Sequence, residues 1–304
     1  MKEIALVGFS VNAEIVLDYD RMTQQEKGKL NSIEPYLCGT SANVARAINL
    51  LGQTSKVLAL TGVNDDFESH VLRFALRQYT IPHSEFKILD KSHISVLPID
   101  NIPKPQIFGK KGKIEEGKIN ETIAKINEET GLWRIATGVR PEEIELVKTL
   151  FNKHAGHRTL NPRPELIMDR SKFFEILKST DLLIMNHSEF DSCKMTLLSE
   201  FHKLGPNLVI ITQNENGGMF SKSGLKIERF DPCNDYINPN TEVYGPGAGD
   251  WFYASFIVKC IELGKSIQTL SIKDIRECIS FAARVSGKKV TMKGAANGPT
   301  KEEL

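Results

Sequence analysis

The chain has 304 residues, 40% of them apolar and 25% charged, with 39 basic against 38 acidic side chains and a net charge of +1. That composition belongs to an ordinary globular chain able to bury a substantial core. The even charge balance lacks the basic excess of a nucleic-acid partner, and no apolar run is long enough for a membrane span.

The first apolar run, Ile4–Gly8, reads as a buried strand and is too short for a signal-peptide core. After it, roughly thirty residues pass before a helix begins near Ser41, far more than the ~2–6 of an ordinary strand-to-helix loop. The interval holds its own strand-like segment, Glu14–Tyr19, and ends in Tyr36-Leu37-Cys38-Gly39. Val57–Thr61 is the next buried strand. Asp65 or Asp66 then caps a helix carrying Phe67, Val71, Leu72, Phe74 and Ala75.

A second irregular stretch, 92–113, contains Ile94–Leu97, then Pro98, Pro103 and Pro105, with basic Lys110, Lys111 and Lys113. Strand Arg134–Ala136 follows. Pro141-Glu142-Glu143 opens a helix with Ile144, Val147, Leu150 and Phe151 on one face. Leu182–Met185 and Leu208–Thr212 are further strands, and Trp251–Val258 is a strongly apolar helical segment. Strands alternating with helices predict a doubly wound, mostly parallel α/β sheet flanked by helices, one domain over 1–304. The two interruptions read either as surface loops or as a small β flap, a lid formed by about 10–38 and 88–115. Five widely spaced cysteines (Cys38, Cys193, Cys233, Cys260 and Cys278) without a Cys-x-x-Cys pair fit reduced thiols and a cytoplasmic protein.

Chemistry concentrates in Tyr244-Gly245-Pro246-Gly247-Ala248-Gly249-Asp250, just before the apolar helix. A glycine-rich turn at a helix start leaves backbone N–H groups without intrahelical partners, a ready anion site reinforced by the helix dipole. An aspartate ending such a turn repels phosphate, but it is well placed to take a proton from an incoming hydroxyl. Taken alone, the same residues also read as an aspartate N-cap on a buried helix. No Gly-x4-Gly-Lys-Ser/Thr occurs, and no Gly-x-Gly-x-x-Gly follows the first strand, so P-loop and dinucleotide-binding readings fall away.

Several motifs in order make the chain resemble the ribokinase-like (PfkB) family of sugar and nucleoside kinases. Gly247-Ala248-Gly249-Asp250 matches the Gly-Ala-Gly-Asp signature, whose glycine-turn amides form the anion hole and whose aspartate is the base. Asn186-His187-Ser188-Glu189 resembles Asn-x-x-Glu, which implies that Asn186 and Glu189 organise Mg2+ and phosphate, Glu189 through water. Gly39 to Gly52 looks like the N-terminal signature and implies that Gly39 and Asn43 contact substrate hydroxyls. Thr212 to Gly218 resembles the nucleotide loop, making Asn186, Thr212, Asn214 and Gly217 the ATP contacts. Asn214 stands there in place of a glycine and tolerates a positive φ.

Thr61-Gly62-Val63-Asn64-Asp65-Asp66, Asn161-Pro162-Arg163-Pro164 and Gly294-Ala295 with Pro299-Thr300 complete the resemblance. The implied cofactors are ATP and Mg2+. The family's aspartate three residues before the first signature glycine falls on Tyr244, a change that bears on the handling of magnesium or a monovalent cation. Trp251 replaces a small residue and implies a narrower phosphate path.

At the acceptor end, Asn12-Ala13-Glu14 is similar to the family's Asn-Ala-Asp, with a longer carboxylate for the sugar hydroxyls. Thr137-Gly138-Val139-Arg140 lacks the glutamate that ribokinases carry after this strand. The resemblance therefore implies an ATP-dependent kinase of a small sugar or nucleoside, with Asp250 as general base. A non-catalytic ligand-binding relative of the same fold is the alternative. An exposed flap edge also favours a homodimer through the lid.

Overall fold

The computed structural model describes residues 4–19, 30–99, 108–152, 156–195, 197–238 and 241–304. Pro103 and Pro105 lie outside them. The strands are β1 (Ile4–Phe9), β2 (Asn12–Tyr19), β3 (Leu30–Cys38), β4 (Thr54–Gly62), β5 (His83–Leu89), β6 (Ile94–Ile99), β7 (Phe108–Lys110) and β8 (Trp133–Val139). They continue with β9 (His157–Pro162), β10 (Leu182–Asn186), β11 (Leu208–Thr212), β12 (Gly218–Lys222) and β13 (Glu228–Phe230).

Nine of these form one sheet in the order β13-β12-β11-β10-β9-β8-β1-β4-β5. Pairing is parallel from β5 across to β11, and β12 and β13 add an antiparallel edge. Because crossover helices cover both faces, the inner strands carry apolar residues on both sides. On one face Val7, Val57, Ile135, Ile184 and Ile210 pack against helices Thr40–Leu50, Ala248–Leu263 and Ile272–Lys289. On the other, Leu6, Leu58, Ala136, Leu160, Leu183 and Val209 meet helices Ile144–Asn152 and Arg170–Leu177. Each fully buried leucine, isoleucine or valine contributes about 1.5–3 kcal/mol.

The expected strands are present, most of them longer than the sequence pattern alone suggested: Val57–Thr61 extends to Thr54–Gly62, and Arg134–Ala136 to Trp133–Val139. Asp66 supplies the helix cap, accepting from the Ser69 N–H, while Asp65 pairs with Arg73 at 2.5 Å. On that helix Phe67 and Phe74 are exposed rather than packed into the sheet, the core face being Leu72, Ala75 and Leu76. Its apolar residues cover more of the helix than the single stripe the sheet can bury.

The remaining strands make a separate four-stranded sheet in the order β3-β2-β6-β7. There β2 runs antiparallel to β3 and parallel to β6, and β7 returns antiparallel. Both sequence interruptions therefore contribute strands to one small sheet, which stands against the main sheet as a lid. Among the described residues no helix is long and apolar enough to cross a membrane.

Candidate active site

Parallel strands end on one edge of the main sheet, and the chain leaving each end delivers polar groups there. β1 delivers Ser10 and Asn12, β8 Arg140, β9 Arg163, β10 Asn186 and β11 Thr212. Two cavities open along this edge. The larger, about 510 Å3, lies between lid and sheet and is lined by Asn12, Glu14, Gly39 and Asn43 together with His93, Ser95, Lys111, Arg140 and Arg163. The smaller, about 320 Å3, is lined by Thr212, Asn214 and Gly217, by Ala248 and Gly249, and by the apolar Phe230, Phe252 and Val290. Asp250 lies between them, since its neighbour Gly249 lines one cavity and its hydrogen-bond partner Asn43 lines the other.

The turn before Asp250 is shaped by close packing. Gly247 caps the helix at φ 84°, and a Cβ there would lie 2.4 Å from the Ala295 carbonyl, so only glycine fits. Trp251 N–H closes the first helical bond onto the Gly247 carbonyl at 2.9 Å. The amides of Gly249 and Asp250 consequently have no helical acceptor and point outward. Ala248 differs from the sequence reading, because its N–H donates to the Gly245 carbonyl at 3.1 Å and is committed to the turn.

Trp251 does not narrow any phosphate path. It is fully buried, packs on Gly298 and donates Nε1–H to the Ala295 carbonyl at 3.2 Å. Helical geometry turns the residue after the aspartate into the core.

Asn43 Nδ2 donates to Asp250 Oδ2 at 2.7 Å. That bond fixes the amide, leaving Asn43 Oδ1 buried without a partner. Burial pushes the Asp250 carboxyl up to about 7, against the opposing pull of the Asn43 hydrogen bond and the positive charges of Arg163 and Lys289; the charge of Glu189 adds to the rise. A carboxylate titrating near neutrality is suited to accept a proton at physiological pH.

On the lid side, Ser95 joins two predicted residues: its Oγ donates to Glu14 at 3.1 Å and accepts from Asn12 Nδ2 at 3.2 Å. Burial also raises the Glu14 carboxyl and pushes the Cys38 thiol up to about 12. Gly39, at φ 97°, sits where a Cβ would strike the Ser10 carbonyl, which draws the start of helix Thr40–Leu50 against the β1 end.

Asn186 and Glu189 line neither cavity. They form a reciprocal helix cap, Asn186 Oδ1 accepting from Glu189 N–H at 2.9 Å and Glu189 Oε2 from Asn186 N–H at 2.8 Å. Among the described residues no three His, Cys, Asp or Glu side chains cluster to hold a metal. Asn214 adopts φ 50°, the conformation that let an asparagine replace the expected glycine.

Besides Ser95, the sequence reading missed the placement of Arg140, His93, Arg163 and Lys111 in the larger cavity. Arg140 is buried and paired with Glu143 at 2.6 Å, with a further contact to His93 at 2.9 Å. Burial and the nearby positive charges hold the His93 ring neutral, down to about 3. Arg163 reaches Ser10 Oγ at 3.4 Å, and Lys111 stands 3.9 Å from Glu165. The basic cluster 110–113 and the Asn-Pro-Arg-Pro turn were the available signals; nothing local indicated that they converge.

A lidded, mostly parallel α/β fold with a glycine turn before a half-buried aspartate, flanked by two cavities, is the ribokinase-type architecture. The model of the pfkB family of carbohydrate kinases matches residues 1–302, and the chain belongs to that family. No curated protein sequence matches it.

Among solved structures, ribokinase from Thermotoga maritima is similar at 20% identity and TM-score 0.72, over 100% of this chain and 98% of that one. Arabidopsis thaliana ribokinase complexed with ribose and ATP is similar at 20% identity and TM-score 0.67, covering 99% and 97%. Phosphofructokinase-2 from Escherichia coli in complex with potassium gives 14% identity and TM-score 0.73, covering 100% and 97%. At these identities the likeness is one of fold.

Proposed function

We propose that the chain transfers the γ-phosphoryl group of ATP to a hydroxyl of a small sugar or nucleoside, with Asp250 as general base. The observation that carries this reading is the 2.7 Å bond from Asn43 to Asp250, which holds the carboxylate at the junction of the two cavities. The acceptor occupies the larger cavity against Asn12, Glu14, Gly39 and Asn43. ATP occupies the smaller one beside Thr212, Asn214 and Gly217, with Asn186 at the adjoining strand end.

Asp250 takes the hydroxyl proton as the oxygen attacks, and the amides of Gly247 and Gly249 stabilise the transferring phosphoryl. Ala248 contributes through the turn it closes rather than by a free N–H. Mg2+, when bound with ATP, would supply charge neutralisation at the phosphates. Glu189, whose Oε2 already accepts from the Asn186 amide, fits a role through water better than direct ligation. Lid closure over the larger cavity excludes water as a competing acceptor. The lid's edge strands β3 and β7 are also where a second copy would pair, a homodimer that light scattering would register.

An ADP-release screen over pentoses, hexoses, sugar phosphates and nucleosides tests the reading, with Asp250→Asn as control. Turnover with at least one acceptor, abolished in the variant, is expected. Wild-type-like activity of Asp250→Asn would overturn the mechanism. Ligand-induced thermal shifts without ATP consumption across the whole panel would favour the non-catalytic relative instead.

A further inference from the structure

The resemblance places cation handling at the position of Tyr244, and the residues there do not suit a bound cation. Tyr244 presents a ring face where the family has a carboxylate, and a cation of the chain itself already stands over it. Lys289 is the one fully buried lysine among the described residues. Its Nζ lies 5.0 Å from the Tyr244 ring centroid and donates to the Met292 carbonyl at 3.0 Å. No carboxylate pairs with it among the described ion pairs, and burial lowers its pKa to about 8 against the opposing pull of the Asp250 charge.

Burying an ammonium costs several kcal/mol, so its surroundings must repay the loss of water. Three features do so here. The ring face attracts the cation, the last turn of helix Ile272–Lys289 presents the negative end of its dipole, and the Met292 carbonyl accepts a hydrogen bond.

The neighbouring contacts show what the charge holds together. Tyr244 N–H donates to the Val290 carbonyl at 2.6 Å, and Ser286 Oγ to the Ala248 carbonyl at 3.0 Å. Gly247 rests on Ala295, and Trp251 donates to the Ala295 carbonyl at 3.2 Å. The turn bearing the anion hole is thereby fastened to the segment 286–295, and Lys289 is the charged member of that fastening.

We propose that Lys289 is a positioning residue for phosphoryl transfer, a built-in cation that holds the Tyr244–Asp250 turn against the Met292–Ala295 loop in place of a bound monovalent cation. The proposal rests on the kinase reading for its kinetic effect, but its structural part can be tested without any substrate.

In melts at equal ionic strength, wild-type Tm is expected to be the same in potassium chloride and tetramethylammonium chloride. Lys289→Ala should melt several degrees lower and recover part of the loss in potassium. In kinetics, Lys289→Met should lower kcat at least about 10-fold with both KM values within about 3-fold, and Lys289→Arg should restore part of the rate. Asp250 faces Asn43, Arg163, Glu189 and Lys289. Removing the lysine charge therefore moves the acidic limb of the pH–rate profile upward.

A wild-type Tm or turnover that rises with potassium would overturn the proposal, as would Lys289→Met with unchanged kcat and pH profile. Should Lys289→Ala fail to fold, the potassium comparison on the wild type still decides. Absence of phosphoryl transfer with every acceptor would sink the kinase reading and leave the melts to judge the clamp.

Discussion

Between residues 244 and 250 the groups of the phosphate turn come from one short stretch of chain, whereas the larger cavity gathers Glu14, Ser95, Arg140 and Arg163 from four separate stretches. In the turn, backbone geometry does the positioning: Gly247 in a left-handed conformation, a helix start, and tight packing on Ala295. In the cavity, positions depend on side-chain bonds between residues 47 to 153 apart in sequence. In the proposed reading the chemistry is encoded locally, and recognition is encoded by the tertiary fold. Damage at the two ends should therefore read out differently, in kcat for the turn and in stability or acceptor KM for the cavity.

The sharpest break is Asp250→Asn, expected to lower turnover by about 10^3-fold or more while ATP binding, measured by calorimetry, stays within a few-fold. The same variant should be more stable than wild type at pH 8. Burial raises the folded-state pKa of Asp250 to about 7, above its value of 3.8 in an unfolded chain. Between those values the folded protein binds more protons than the unfolded one, so this group's contribution to stability falls as pH rises toward 7. Asparagine removes the penalty, and the Tm advantage should narrow as pH is lowered from 7 toward 4.

Next in size is Glu143→Ala, which leaves the buried Arg140 guanidinium without its main partner. It should cost about 3–5 kcal/mol in chemical denaturation and raise the acceptor KM. Gly247→Ala should cost about 1–3 kcal/mol by forcing a left-handed alanine against the Ala295 carbonyl, with a fall in kcat larger than any change in acceptor KM. Smallest is Ser95→Ala, removing the hydroxyl shared by Asn12 and Glu14. About 1 kcal/mol, or roughly 5-fold in acceptor KM at unchanged kcat, is the expected effect.

Much of this was legible in the sequence. The parallel core announced itself through apolar runs buried on both faces, and Gly247–Asp250 through glycines placed before a helix. Asn43 was legible only through the resemblance of Gly39 to Gly52 to the family's N-terminal signature; its bond to Asp250 spans 207 positions and no local pattern records it.

Other features had no local signature. β12 and β13 are short, mixed in polarity and held by an edge, so their burial pattern never forms a clean alternation. Lys289 ends an amphipathic helix with Lys288 beside it, and a lysine at that position ordinarily ends in solvent. Trp251 misled for the opposite reason: its size was read against the adjacent turn, whereas the helix carries its ring away from the turn and onto Gly298.

Under the proposed kinase reading, the bond from Asn43 to Asp250 would also act as a filter on what the larger cavity accepts. With Asn43 Nδ2 committed to the carboxylate, the amide's Oδ1 is left buried without a partner, and it can only accept a hydrogen bond. An acceptor presenting O–H at that point satisfies it, while the corresponding deoxy sugar or methyl ether leaves it stranded. In the proposed reading, one side-chain orientation set by Asp250 would thus discriminate a hydroxyl from its isosteres at the stage of binding.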